Sequence, residues 1–356
     1  MITTSTLTRQ PDGSAAGHSW QWQLAQAITD PLELLQLLDL DPRLAVAAGA
    51  AAVPFRLRVP RGFVRRMRRG DAHDPLLLQV LPGARELVEQ PGFDGDPLGE
   101  RAAMRAPGLL HKYHGRALLI STGACAVHCR YCFRREFPYQ AAGGKGGRWQ
   151  AAIAAIAADP SIEEIILSGG DPLSLSDQRL TQLTDALRTL PHIQRLRVHT
   201  RTPIVLPDRV DAGFTRWLGA LPWPTVIVLH SNHANEIDDS VRAAMARLRA
   251  AGATLLNQSV LLAGINDSLE ALERLSRALW SAQVLPYYLH LLDRVRGAAH
   301  FEVTEAQARA LMAALAARLP GYLLPRLVRE TAGAPAKTVL ASAHWDTLHS
   351  PRQVEC

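Results

Sequence analysis

From Gly115 onward the chain repeats one pattern: a short apolar run, then a longer segment in which apolar residues recur at helical spacing. The runs Ala117–Ser121, Glu164–Leu167, Leu196–Thr200, Thr225–His230, Thr254–Val260 and Val284–His290 predict strands, and residues 148–158, 177–190, 209–220, 236–251 and 267–281 predict the helices between them. Alternating β and α units imply parallel strands, and six of them predict an α/β fold, a partial (β/α)6 barrel. A doubly wound open sheet is the rival. The barrel is favoured because polar motifs end almost every strand, as expected where loops at one rim build a site. Before this region, Trp20–Leu40 carries helical signals, with Asp30-Pro31 as the start of a helix that contains Leu35 and Leu38. An alanine-rich helix follows. The organisation expected is a helical N-terminal domain over residues 1–100 with a disordered start to about residue 18, the barrel over 101–345, and a tail over 346–356; Ala142–Gly147 reads as a glycine-rich loop.

Composition narrows the class. A chain of 356 residues with 47% hydrophobic content describes a globular α/β protein, and no apolar run is long enough to span a bilayer. The polar Met1–Ser19 stretch lacks the apolar core of a secretory signal, which predicts a cytoplasmic protein. The net charge of +6 suggests an acidic partner. Much of the excess is local, in Arg56, Arg58, Arg61, Arg65, Arg66, Arg68 and Arg69. This stretch is either a solvated face or a docking surface.

Three of the four cysteines, Cys125, Cys129 and Cys132, share one loop directly after the first strand, which excludes a disulfide framework and points again to a reducing compartment. Thiolates with this spacing can ligate three irons of a 4Fe-4S cube and leave the fourth iron open. Zinc closed by His128 is the alternative these residues leave, although His128 lies between two of the cysteines. The CxxxCxxC spacing followed by an aromatic residue resembles the radical S-adenosylmethionine superfamily, in which the open iron chelates the amino and carboxylate groups of the methionine moiety.

Further motifs sit at strand ends. Ser168-Gly169-Gly170-Asp171-Pro172 follows the second strand, His230-Ser231-Asn232-His233 ends the fourth, and Asn257-Gln258-Ser259 lies on the fifth. Together with Lys112-Tyr113 and Arg116 before the cysteine loop, Arg134 after it, Tyr287-Tyr288, Asp293 and Lys337, they make residues 20–345 resemble the lysine 2,3-aminomutase family. That resemblance implies a radical-SAM partial barrel with three cofactors: a 4Fe-4S cluster on Cys125, Cys129 and Cys132, S-adenosyl-L-methionine near Gly169, Gly170, Asp171, His230 and Gln258, and pyridoxal 5'-phosphate. It implies Lys337 as the catalytic lysine that carries the pyridoxal aldehyde as a Schiff base, and Lys112, Tyr113 and Arg116 as contacts of the pyridoxal phosphate group. It also implies Arg134 for the substrate carboxylate, with Asp293 and Glu330 for the distal ammonium of L-lysine; free-lysine enzymes carry aspartate where this chain has Glu330.

The function implied is an isomerase that moves the amino group of L-lysine from C2 to C3 to give β-lysine. The hydrogen on C3 bears no acidity, so no side-chain base could remove it and a radical is required. Glu330, the segment Tyr322–Arg329 and the chain end at Cys356, shortly after Lys337, resemble the branch that makes (R)-β-lysine for translation elongation factor P. Elongation factor P, its lysyl ligase and an electron donor such as flavodoxin are the partners expected. Two other classes stay open: a catabolic aminomutase acting on free lysine, since Asp293 disfavours glutamate, and an RNA-modifying radical enzyme that uses the arginine stretch.

Overall fold

A computed structural model describes residues 19–53, 55–140 and 149–340. The expected disordered start, the glycine-rich loop and the tail with Cys356 lie outside the described residues.

The N-terminal region is helical at first, with α1 (Trp20–Ala25), α2 (Pro31–Leu37), α3 (Leu44–Ala52) and α4 (Arg61–Val64), followed by turns. The predicted start of α2 is realised: Pro31 fills its first position and the Asp30 carboxylate accepts from the Leu32 amide at 3.0 Å. A short antiparallel pair, β1 (Met104–Ala106) and β2 (Leu109–Tyr113), leads into β3 (Arg116–Thr122).

Strand and helix then alternate through α5 (Gln150–Ala157), β4 (Glu164–Gly169), α6 (Asp177–Arg188), β5 (Arg195–Thr200), α7 (Thr202–Val205), α8 (Ala212–Gly219), β6 (Thr225–His230), α9 (Asp239–Ala250), β7 (Thr254–Val260), α10 (Leu269–Ser281), β8 (Leu285–His290), α11 (Glu305–Ala316) and β9 (Arg326–Arg329), ending with β10 (Thr338–Val339). The helices begin where the sequence offers a cap. Ser176, Asp211, Asp238, Ser268 and Thr304 each accept from the amide three residues on, a bond worth about 1 kcal/mol.

The sheet runs in chain order from β1 to β10, and β3 to β9 are parallel throughout. β1 and β10 stay at opposite edges, so the barrel is partial, as expected. The six predicted strands are all present, and β9 adds a seventh parallel one. Its four residues, two aliphatics flanked by arginines, gave it no apolar run long enough to be read from. Period-2 alternation sorts the strand residues. Leu167, Leu196, Val198, Ile227, Leu229 and Leu255 face the helices in the main core, while Ser168, His199, His230, Gln258 and His290 occupy the alternate positions facing the barrel interior.

The N-terminal region shares a core with the barrel mouth. Ile28, Leu34, Leu57, Phe63 and Leu77 bury against Ala126 and Val127 of the cysteine loop and Val205 and Leu206 at the end of α7. Part of the arginine stretch belongs to this packing. Arg66 donates to the Ile204 and Glu236 carbonyls at 2.8 and 2.6 Å and pairs with Asp238, Arg58 donates to the Leu24 carbonyl, Arg61 pairs with Glu33, and Arg69 with Asp39. Arg58 and Arg66 are spent on docking the chain to itself, whereas Arg56, Arg61, Arg65, Arg68 and Arg69 stay exposed. Among the described residues, no helix is long and apolar enough to cross a membrane.

Candidate active site

The cysteine loop leaves the C-terminal end of β3 and packs against the turn after β4. Gly169 has φ +108°, which an L side chain rarely adopts, and a Cβ on Gly170 would collide with the Ala124 carbonyl oxygen. Close approach is what the glycines allow: the Gly170 amide donates to the Thr122 carbonyl at 2.7 Å and the Asp171 amide to the Ala124 carbonyl at 2.8 Å. The Asp171 carboxylate does not face open space. It accepts from Thr200 Oγ1 and from the Leu173, Arg201 and Thr202 amides at 2.6 to 3.0 Å. It binds the end of β5 to the loop.

Cys125, Cys129 and Cys132 are half-buried. Burial, then Asp171 and the other two thiols, push the Cys125 thiol up, and burial and Cys129 push Cys132 up to about 11. Thiols such as Cys125 and Cys132, whose charged forms are disfavoured by burial and by neighbouring thiols, belong to a donor set that a cationic centre relieves. His128 is turned elsewhere, with Nδ1 2.8 Å from the Arg56 carbonyl oxygen and its ring stacked on Phe55. Among the described residues, no group of three or more His, Cys, Asp or Glu could hold a single metal ion. The zinc alternative fails on this geometry, and the donor set fits an iron–sulfur cluster.

Two buried networks fix the loop. Arg201 donates from Nη1 to Cys129 Sγ at 2.8 Å and to the Tyr131 hydroxyl, and from Nη2 to Gln79 at 2.7 Å and Glu236 at 3.1 Å; Asn232 closes the set on Gln79 and Tyr131. Arg130 and Arg135 both donate to Glu86, with the Phe55 ring beneath each guanidinium. Above the loop, His230 and Gln258 are register partners on β6 and β7, and their side chains bond at 2.8 Å. Burial, then Arg201 and Arg134, hold the His230 imidazole down to about 3, so it is neutral at any physiological pH.

Across the mouth, β9 and β10 form an antiparallel hairpin in which Thr338 faces Arg329. Extending that register by one residue places Lys337 opposite Glu330, and the two are ion-paired. Lys337 thus lies on the hairpin edge directly before β10. From it runs a line of alternating charge. Glu330 accepts from Lys112 at 3.0 Å, Lys112 lies 3.3 Å from Glu100, and Glu100 takes Nε and Nη2 of Arg134 at 2.7 and 2.8 Å. Arg134 Nη1 donates to Ser168 at 3.0 Å, which brings the line back to the turn after β4. Tyr113 lies beside Glu330, where burial and the Glu330 charge raise its hydroxyl above the usual range, and Arg116 stacks over the Tyr113 ring.

The carboxylates of this line are pushed in opposite directions. Burial and the neighbouring Glu330 charge push Asp293 up to about 7. Burial would also raise Glu330, but Lys337 and Lys112 hold it at about 2. The imidazoles of His199 and His290 have buried Nε2 atoms without a hydrogen-bond partner, and both are held neutral by burial with Lys337 among the nearby cations. An amine on a hairpin, flanked by unspent imidazole nitrogens and by Lys112, Tyr113 and Arg116, fits pyridoxal phosphate.

The predicted residues therefore come together in two groups, the cysteines with Gly169, Gly170, His230 and Gln258, and Lys337 with Glu330, Lys112, Tyr113, Arg116 and Asp293, bridged by Arg134. Sequence reasoning missed Glu100, Gln79, Arg201 and Tyr131. Arg201 directly follows a barrel strand and Tyr131 sits within the cysteine motif, which were available signals; Glu100 and Gln79 had none.

A partial barrel with an open-sided triad of thiols at its mouth defines a radical S-adenosylmethionine enzyme. Residues 114–198 match the family model described as a 4Fe-4S single cluster domain. The L-lysine 2,3-aminomutase of Escherichia coli (strain K12) is 51% identical over 96% of this chain and 97% of its own length, and that of Haemophilus influenzae is 46% identical over 91% and 96%. The Clostridium subterminale protein of the same name is 32% identical over 90% of this chain and 77% of its own length. The chain belongs to the L-lysine 2,3-aminomutase family.

Proposed function

We propose that this enzyme converts L-lysine to β-lysine, with the cluster on Cys125, Cys129 and Cys132, S-adenosyl-L-methionine beside Gly169, Gly170, His230 and Gln258, and pyridoxal phosphate on Lys337. When bound, the reduced cluster with S-adenosylmethionine supplies a 5'-deoxyadenosyl radical, and the pyridine ring of pyridoxal phosphate supplies a delocalising system for the shift of nitrogen between neighbouring carbons. The rest is the work of this chain. Arg134 takes the substrate carboxylate with the Nη2 N–H that Glu100, Ser168 and Gly169 leave free. Asp293 and Glu330 receive the distal ammonium: two adjacent carboxylates, one of them destabilised as an anion by burial and by its neighbour, favour a cation arriving between them. His199, His230 and His290 stay neutral and add no competing cation. The N-terminal region packs against Ala126, Val127 and Cys129 of the cysteine loop.

The observation that carries this reading is the continuous line Arg134, Glu100, Lys112, Glu330 and Lys337 with Asp293 beside it, which sets an anion site at one end and a cation site next to a reactive amine at the other. The product is (R)-β-lysine destined for elongation factor P, a reading supported by Glu330 in the place of the free-lysine enzymes' aspartate. The lysyl ligase of that factor and a flavodoxin-type donor are the partners this implies, and the reduced thiols agree with a cytoplasmic location. Anaerobic turnover of reconstituted enzyme, with chiral analysis by mass spectrometry, tests it. L-lysine should yield (R)-β-lysine and norleucine, which lacks the ammonium, should not react. Equal turnover of norleucine would sink the lysine assignment, and an (S) product would sink the elongation factor branch alone.

A further inference from the structure

Glu100 stands in the turns before β1, where no periodic pattern marks it. Its backbone is held by Asp96, whose carboxylate accepts from the Glu100 and Arg101 amides at 2.8 and 3.1 Å, and the residue is 2% exposed. From this fixed turn the side chain enters the barrel mouth and meets two cations with different tasks. It takes Arg134 by both oxygens and lies 3.3 Å from the Lys112 ammonium. Burial opposes its charge, but Arg134 and Lys112 outweigh that and keep it ionised.

The donor count on Arg134 is informative. Nε and one N–H of Nη2 go to Glu100, and Nη1 reaches Ser168 Oγ at 3.0 Å and the Gly169 carbonyl at 3.4 Å. Of the five N–H groups of a guanidinium, one on Nη2 remains. The arginine cannot swing to meet whatever anion arrives. It presents one direction, and that direction is set by Glu100 on one edge and Ser168 on the other.

Resting on the lysine reading above, we infer that Glu100 is a positioning residue for this reaction: it fixes the orientation of Arg134 and its separation from Lys112, so that a substrate held by its carboxylate places its amine end at the Lys337 hairpin in one register only. A substrate with a shorter chain then cannot reach Asp293 and Glu330 while staying on Arg134. Glu100 thus takes part in measuring the length of a diamino acid without touching it.

The test uses pyridoxal phosphate-loaded enzyme without S-adenosylmethionine, so that binding is read separately from turnover. Calorimetry of L-lysine and ornithine is compared for wild type, Glu100→Gln and Glu100→Asp. The glutamine is nearly isosteric, but it offers one acceptor oxygen to two cations. Lysine affinity should fall at least about tenfold, and the preference for lysine over ornithine should narrow. In turnover, KM should rise more than kcat falls. Should Glu100→Gln not fold, Glu100→Asp keeps the charge on an arm too short to hold both cations, and it should narrow the same preference with lysine affinity below that of wild type. A lower melting temperature with unchanged lysine affinity and unchanged lysine-to-ornithine ratio overturns the inference, because Glu100 would then be structural only. If wild type binds norleucine as tightly as lysine, the lysine reading itself fails and the inference falls with it.

Discussion

The two sides of the barrel mouth are finished in different ways. On the cysteine side the protein pairs its own charges: Arg201 with Glu236 and Cys129, Arg130 and Arg135 with Glu86, with Gln79 and Asn232 filling the hydrogen bonds between them. On the hairpin side Asp293 and Glu330 are pushed to about 7 and about 2, and two imidazole nitrogens are buried without a partner. The first region is assembled from contacts far apart in the chain and needs little from a ligand except a cationic centre among the thiols. The second holds buried groups in mutual conflict. Such conflict costs stability and is retained where ligands resolve it.

The comparison breaks most sharply if the two sides are not independent. Replacing Cys125, Cys129 or Cys132 with Ala should abolish bound iron and sulfide and all turnover, while borohydride still traps pyridoxal on Lys337. Lys337→Ala should do the reverse, keeping iron and losing the trapped label. Loss of both cofactors in either variant, seen by iron analysis and peptide mapping, would mean that the mouth assembles as one unit.

Next in size is the cation site. Asp293→Asn removes a charge-assisted contact of about 1.5–3 kcal/mol, so kcat/KM for lysine should fall about ten- to a hundredfold. A variant within twofold of wild type would remove Asp293 from substrate recognition.

The opposed carboxylates also predict how the cofactor-free protein responds to pH. Asp293 is raised above its unfolded value of 3.8, so the folded state binds the extra proton, and this group lowers stability as pH rises from about 4 to about 7. Glu330 is depressed from 4.5 to about 2, so its contribution is present above about 4.5 and is lost as pH falls towards 2. Thermal melts across pH should show both limbs, and Asp293→Asn should flatten only the upper one. An unchanged upper limb in that variant would show that another group carries it.

The smallest effect is expected at Arg201. Arg201→Lys keeps the charge beside Cys129 but cannot reach Cys129, Gln79 and Glu236 together. Iron content should hold, with turnover down about tenfold, the low end for residues that orient a metal ligand. A drop of a hundredfold or more with normal iron would give this arginine a larger part in the chemistry.

What could be read from the chain without its fold was whatever depends on covalent neighbours. The spacing of Cys125, Cys129 and Cys132 fixes three thiolates on one loop, and the alternation of apolar runs fixed six strands within a residue or two of where they lie. Asp30, Ser176 and Ser268 start helices because a side-chain oxygen reaches an amide only two or three residues away. The family motifs gave Lys337, Arg134 and Asp293 their expected tasks.

Only the tertiary structure decided which partners those residues meet. Lys112 stands between Glu100 and Glu330, Asp171 binds the end of β5 rather than facing open space, and Lys337 lies on a hairpin edge. Glu100 and Gln79 come from turns with no periodicity, and Glu86 from a single helical turn; each acts through a side chain at least 34 positions away in the chain. The opposite shifts of Asp293 and Glu330 arise the same way. Two carboxylates of the same kind differ because burial and the nearest cations differ, and both are properties of packing that no local pattern of residues encodes.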